Sequence, residues 1–482
     1  MIASNVMALS PFIVGAAAVV ALMLGIAVRR SHAATAAATV AALALMLACI
    51  PLAAVVVPRL VTPLIIIDAY ALFWLALIFG AGMVTAVLVR DYLRERGGQP
   101  EEFYLLLLVS CLGAGAMVCS RHFASFYLSL EVMTIPLYGM ISYLCTGKRG
   151  VEAGLKYLVL AGAASAFLLF GAALMYSESG ALDFVGMACA TVSYSGNLVV
   201  LAGLAMVLVG VGFKLSLAPF HLWTPDVYEG APAPVTAFMA TVSKGAVLAA
   251  LLRYFGTVTP ETFLSLRDAF SLAAAASMIA GNLLALRQTN VKRVLACSSI
   301  AHAGYVAVAF LALGDTAVHA LAFYFAGYFA ATLGAFGVIS VLSADGALRE
   351  RDAIEDYRGL FHTRPVLAGV LALMLLSLAG VPLTAGFLGK VYVFIAGIRA
   401  GLWWQTGVLV FASAIGLVYY LRIVAVMTAA PKDADTTADA SAPGMSRAEK
   451  SLLAALALAV LWLGIYPTPL LRVIEGIHLT GL

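Results

Sequence analysis

The chain has 482 residues, is 63% hydrophobic and only 11% charged, and carries a formal net charge of +4. So little polar surface cannot keep a globular fold of this size in water, and the basic residues form no single patch of the kind that binds nucleic acid. Apolar runs of about 18 to 25 residues recur along the whole length, each long enough to cross the hydrocarbon layer as a helix, whereas a barrel would show short alternating segments.

The fold is therefore expected to be all-α, a polytopic membrane protein of about 14 transmembrane helices in contact with the lipid bilayer. In chain order the spans are expected at 9–28, 33–57, 64–89, 103–120, 123–145, 153–176, 197–218, 233–255, 264–286, 294–313, 317–343, 364–396, 404–428 and 449–468. No basic residue precedes the first run, which reads as a retained span. The twelfth is too long for one straight crossing. Prolines interrupt the seventh at Ala218-Pro219-Phe220-His221 and the twelfth at Gly380-Val381-Pro382. Paired broken helices are a mark of repeated halves in transporters.

Every second loop collects the basic residues, Arg29, Arg30, Arg90, Arg94, Arg96, Lys148, Arg149, Arg287, Lys292, Arg293, Arg349, Arg351, Arg358, Arg364, Lys432, Arg447 and Lys450. The alternate loops hold Arg59, Arg121, Arg267 and Arg399, with Arg253 at their margin. This bias sets the first group in the cytoplasm and both termini outside, as an even number of spans requires. The stretch 431–450 reads as a flexible connector. The six cysteines, Cys49, Cys111, Cys119, Cys145, Cys189 and Cys297, lack the spacing of a zinc or iron–sulfur site and read as buried, inert thiols.

Ionisable groups inside the membrane are costly and call for an explanation. Glu131, Lys214, Lys244 and Lys390 fall within their spans, Glu131 and Lys244 deepest; each reads as a proton site, against a purely structural role such as a helix clamp at Glu131. Lys214 comes five residues before Pro219 and Lys390 follows the second break, where an ammonium can also serve exposed helix carbonyls. Lys244 has no acidic residue within a turn, so any counter-charge must come from another helix. Lys156 lies one turn inside its span, four residues after Glu152: it is either a surface pair or a group that tunes Glu131. His302, flanked by Ser298, Ser299 and Tyr305, reads as a relay or as a hydrogen-bonded core histidine. Asp68 reads as a cap or interfacial group, Asp226 and Glu229 as solvated, and His221 as facing a vestibule or a neighbouring chain. Separating Glu131 from Lys214 would let the lysine pass its proton toward Lys244, His302 and Lys390. The energy must come from elsewhere, because the chain has no Walker loop, dinucleotide fingerprint, cluster-binding cysteines or haem motif.

The stretches EAGLKYLVLAGAASAFLLFG (152–171), FKLSLAPFHLWTPDVYEGAPAPVTAFMATVSK (213–244), NLLALRQTNVKRVLACSSIAHAGY (282–305), FYFAGYFAATLGAFGV (323–338) and PLTAGFLGKVYVF (382–394) resemble the antiporter-like membrane subunits of respiratory complex I, the bacterial subunit N family in particular. The resemblance covers essentially the whole chain. It implies three N-terminal helices over 1–102 and two inverted five-helix repeats, over 103–255 and 256–428, each with a broken helix. A cytoplasmic loop and last helix would fill 429–482. It further implies that Glu131 and Lys214 form a coupling pair, with Lys156 nearby, Lys244 central and Lys390 toward the exit. Other membrane subunits, antiporter-like ones among them, would be partners in a bacterial inner membrane. NADH, FMN, iron–sulfur clusters and quinone would belong to those partner subunits, and no cofactor to this chain. An Mrp-type cation/proton antiporter subunit shares the fold and most of the buried charges; a passive scaffold is the third reading.

Overall fold

The structure is a computed structural model that describes residues 2–94, 96, 98–144, 148–193, 196–256, 260–344, 350–431 and 445–479. Cys145, Arg349, Lys432 and most of the connector at 431–450 lie outside the described residues.

Thirteen helices among the described residues are long and apolar enough to cross a membrane, and a fourteenth crossing is divided into Pro365–Ala379 and Ala385–Arg399. The expected spans are thus recovered, with three differences. The third does not begin at 64: residues Arg59–Thr62 and Ile65–Ile67 pair as an antiparallel hairpin, and the helix runs Ala69–Arg94. β-Branched Val61, Thr62, Ile65, Ile66 and Ile67 favour strand as readily as they satisfy an apolar window. The sixth is longer than expected, Lys148–Ser179, which at 1.5 Å per residue exceeds the hydrocarbon layer and carries its first turns beyond it. The eighth, Ala233–Phe255, contains a π-helical segment at Met239–Ser243 immediately before Lys244.

The two interrupted crossings stop by the same device. Ser216 (φ 61°) and Gly380 (φ 88°) adopt left-handed conformations. The residue after each bonds back five positions, Leu217 N–H to the Gly212 carbonyl at 2.8 Å and Val381 N–H to the Leu376 carbonyl at 3.0 Å. Such caps close a helix end without needing the next turn. The first helix therefore ends at Leu215, four residues before Pro219, and resumes as the short helix Trp223–Gly230.

Helices in a bilayer approach closely only where side chains are small. A Cβ on Gly113 would lie 2.4 Å from Met133 N, which brings Glu101–Val118 against the helix bearing Glu131; Gly171 and Gly203 abut each other's helices in the same way. The resulting bundle has a clear inside. The window over Ala233–Phe255 is 100% buried, against 17% for Ser10–Val28 and 22% for Arg447–Ile465. Lys244 thus stands on the most enclosed crossing.

Candidate functional site

Three of the four buried lysines among the described residues, Lys214, Lys244 and Lys390, have 3%, 5% and 8% of their surface exposed. Each ammonium is held by a hydroxyl. Lys214 Nζ donates to Thr134 Oγ1 at 3.5 Å, Lys244 Nζ to Ser299 Oγ at 2.8 Å and Lys390 Nζ to Ser413 Oγ at 2.8 Å. Lys390 also donates to the Ala379 carbonyl at 2.7 Å, at the end of the first half of its broken crossing. Among the described residues no carboxylate comes within ion-pairing distance of any of the three.

Glu131 is half-buried in Phe123–Ile141, and its Oε1 accepts a hydrogen bond from the Ser165 hydroxyl at 2.6 Å. Thr134, the partner of Lys214, follows Glu131 by three residues and so lies on the same side of that helix. Glu131 and Lys214 are neighbours, but in this structure two different hydroxyls hold them.

His302 is buried and lines the same small cavity as Lys244. Its Nδ1 is 2.5 Å from the Tyr324 hydroxyl and its Nε2 is 3.5 Å from that of Tyr420, which also bonds Ser298. Ser299 accepts a second hydrogen bond, from the Tyr328 hydroxyl at 3.0 Å. A cavity of about 20 Å³, room for one water, is lined by Lys244, Ser299, His302, Tyr324 and Tyr328 among others. Lys390 lies 5.2 Å from the centre of the Tyr305 ring, a cation–π distance.

Lys156 stands apart from this interior. Its ammonium pairs with Glu152 at 2.7 Å and Asp226 at 3.0 Å, and its side chain is 41% exposed. Together with Arg149, Glu229 and Arg293 these groups line an open polar vestibule of about 210 Å³. Asp226 and Glu229 are ion-paired there, both to Arg293, and are not merely solvated. His221, expected to face a vestibule or a neighbouring chain, is buried within this chain. Cys189 is exposed, on the short helix Phe184–Ser193, whereas Cys49, Cys111, Cys119 and Cys297 are buried as expected.

Two ion pairs escaped the sequence reading. Asp68 caps the Ala71 N–H at 2.8 Å and also binds Arg253 with two hydrogen bonds, 2.7 and 2.9 Å, in full burial. Lys292, expected in a loop, is fully buried; it donates to the Ala231 carbonyl at 2.6 Å and pairs with Glu350. Glu350 accepts further from Tyr92 Oη and, at 3.0 Å, from Ala233 N–H. Partners 185 and 58 residues apart leave no local spacing signal.

Residues 120–416 match the family described as "NADH:quinone oxidoreductase/Mrp antiporter, TM". A curated NADH-quinone oxidoreductase subunit N from Ectopseudomonas mendocina (strain ymp) is 45% identical, over 100% of this chain and 98% of the relative. A chain of respiratory complex I from Thermus thermophilus superposes with a TM-score of 0.82 at 35% identity, covering 96% of this chain and 98% of that one. A chain of the Mrp complex from Dietzia sp. DQ12-45-1b shares the fold at a TM-score of 0.84, but at 20% identity, covering 99% and 97% of the two chains. With the full-length identity falling to the first of these groups, the chain belongs to the NADH:quinone oxidoreductase/Mrp antiporter membrane family, on its NADH-quinone oxidoreductase subunit N branch.

Proposed function

We propose that this chain translocates protons within an NADH-quinone oxidoreductase, through Glu131, Lys214, Lys244, His302 and Lys390, driven by electron transfer in partner subunits. The carrying observation is that each of three buried lysines has a hydroxyl partner, with no carboxylate at ion-pairing distance among the described residues. A carboxylate would favour the charged lysine, whereas a hydroxyl can accept from an ammonium or donate to a neutral amine. Such a site tolerates both protonation states, which a carrier must do.

The steps run along the interior. While Glu131 is held by Ser165 it makes no ion pair with Lys214, which can then release a proton; contact of the two would retain it. Lys244 would receive through Ser299 and pass onward across the small cavity to His302 and so to Lys390. His302 has Tyr324 on one nitrogen and Tyr420 on the other, so it can take a proton on one side and release it on the other. Lys156 joins this scheme through Asp226, on the segment that follows the first break, and not through contact with Glu131. Moving a charge against the membrane potential requires about 2.3 kcal/mol per 100 mV, which redox chemistry in NADH-, FMN-, iron–sulfur- and quinone-binding partners would supply.

The same reading assigns two inverted repeats around the two breaks, other antiporter-like subunits as neighbours and the bacterial inner membrane as location, with the basic end in the cytoplasm and both termini outside. Purification in mild detergent tests it against the Mrp-type alternative. Co-elution with flavin and iron–sulfur proteins is expected; sodium-dependent proton exchange by the isolated chain, without such partners, would favour the alternative.

A further inference from the structure

The crossing Trp403–Thr428 carries one charged residue, Arg422, six residues before its end at the basic side. It packs against Pro260–Leu286, and side-chain hydrogen bonds join the two helices along their length. Gln405 donates to Ser271 at 3.0 Å, the Tyr419 hydroxyl to Asn282 at 3.1 Å, and Arg422 Nη1 to the Leu286 carbonyl at 3.1 Å. The last bond brings the guanidinium to the final turn of the neighbouring helix, which Arg287 follows at once.

Both arginines are exposed, and each heads an exposed apolar stripe. Phe411 and Val418 share a helix face with Arg422, while Ile279 and Leu283 lead up to Arg287 at four-residue steps; all four are exposed. Exposed Trp403 and Trp404 mark the opposite membrane interface. Arg422 lies about 28 Å from them along the helix, close to the thickness of the hydrocarbon layer, so its guanidinium stands where acyl chains end and phosphates begin. Snorkelling toward water accounts for a single arginine at this depth. It does not account for a second exposed arginine one residue beyond the first one's carbonyl partner, at the head of another apolar stripe. Among the described residues neither pairs with a carboxylate. A guanidinium matches a phosphate in charge and geometry, and basic sites between crossings on the cytoplasmic side bind anionic headgroups. A zwitterionic headgroup would bring an ammonium for which these two arginines offer no acid.

We propose that the outer groove between Pro260–Leu286 and Trp403–Thr428 binds an anionic phospholipid, with its phosphate on Arg422 and Arg287 and its acyl chains along Ile279, Leu283, Phe411 and Val418. The lipid braces the crossing that also supplies Ser413 to Lys390.

The test uses the assembled complex in membrane vesicles, with NADH-to-ferricyanide activity as the measure of assembly. The vesicles contain a phosphatidylglycerol with a photoreactive diazirine on its acyl chain, or the phosphatidylcholine with the same chain, and labelled peptides of this chain are mapped by mass spectrometry. The phosphatidylglycerol probe is expected to label 272–286 and 410–421 well above the phosphatidylcholine probe. That excess is expected to fall about fivefold in Arg422→Gln and largely to survive in Arg422→Lys, which keeps the charge. Equal labelling by the two probes would mean annular lipid only, and undiminished labelling in Arg422→Gln would mean that the arginine holds no headgroup; either overturns the proposal. No labelling of either stripe in the wild type would mean that protein covers the groove, and overturns it as well. If Arg422→Gln fails to assemble, Arg287→Gln, which leaves the bond to the Leu286 carbonyl in place, decides on the same terms.

Discussion

At the scale of single residues, the interior separates charges meant to stay fixed from charges able to change. Asp68 and Arg253 bind through two short hydrogen bonds, and the Arg253 guanidinium also reaches the Val118 carbonyl at 3.2 Å. Removing one partner strands the other in a low dielectric, so Asp68→Ala is expected to cost roughly 3–5 kcal/mol of stability. Differential scanning fluorimetry in detergent would register it, and Arg253→Met added to Asp68→Ala should recover much of the loss. Lys214, Lys244 and Lys390 are the opposite case, each with a hydroxyl partner. Their burial was readable from sequence because apolar runs surround them. Their hydroxyl partners were not: Ser299 stands out in the sequence only beside His302, and a hydroxyl in a transmembrane helix more often bonds its own backbone, as Thr134 also does to the Leu130 carbonyl at 2.6 Å.

At the scale of elements, close helix approach decides which glycines matter. Gly113 faces the backbone of the Glu131 helix at 2.4 Å, while nothing stands within 4 Å of a Cβ on Gly162. Gly113→Ala is expected to push Phe123–Ile141 outward, lowering both melting temperature and pumping. Gly162→Ala is expected to be neutral or stabilising by up to about 1 kcal/mol, since alanine favours helix. A matched pair of thermal melts checks both. Loop folding matters as much as packing. Burial opposes ionisation of Glu350, but Lys292, Tyr92 and the Ala233 N–H outweigh it and hold the carboxyl below its ordinary value of 4.5. A depressed acid contributes stability above that value and loses it as pH falls through it and below. Melting temperature should therefore drop on acidification in the wild type and less steeply in Glu350→Gln; identical slopes would contradict this role. Lys292 looked like a loop cation because its paired acid arrives from 58 residues away. The expected third span takes in residues 64–67, the second half of the hairpin, because hydropathy alone does not distinguish a short apolar strand from the first turn of a span.

At the scale of the molecule, the order of the crossings was legible because each must be long and apolar in its own right. Their arrangement was not, since lipid-facing and buried helices have similar composition when the solvent is itself apolar. Ser10–Val28 and Ala233–Phe255 both pass as spans by hydropathy, yet 17% of one window and 100% of the other is buried. The two breaks were visible through Pro219 and Pro382, although the residues that end the helices are Ser216 and Gly380. Lys156 shows the limit of reading depth from position: its place one turn inside the span does not reveal that it points to Asp226 and a 210 Å³ vestibule.

The most direct test is the number of protons pumped per electron in inside-out vesicles that carry Lys214→Ala, assayed beside NADH-to-ferricyanide activity. A lowered proton yield with near-normal ferricyanide reduction is the expected result. An unchanged proton yield in the fully assembled variant would mean that the buried lysines carry nothing.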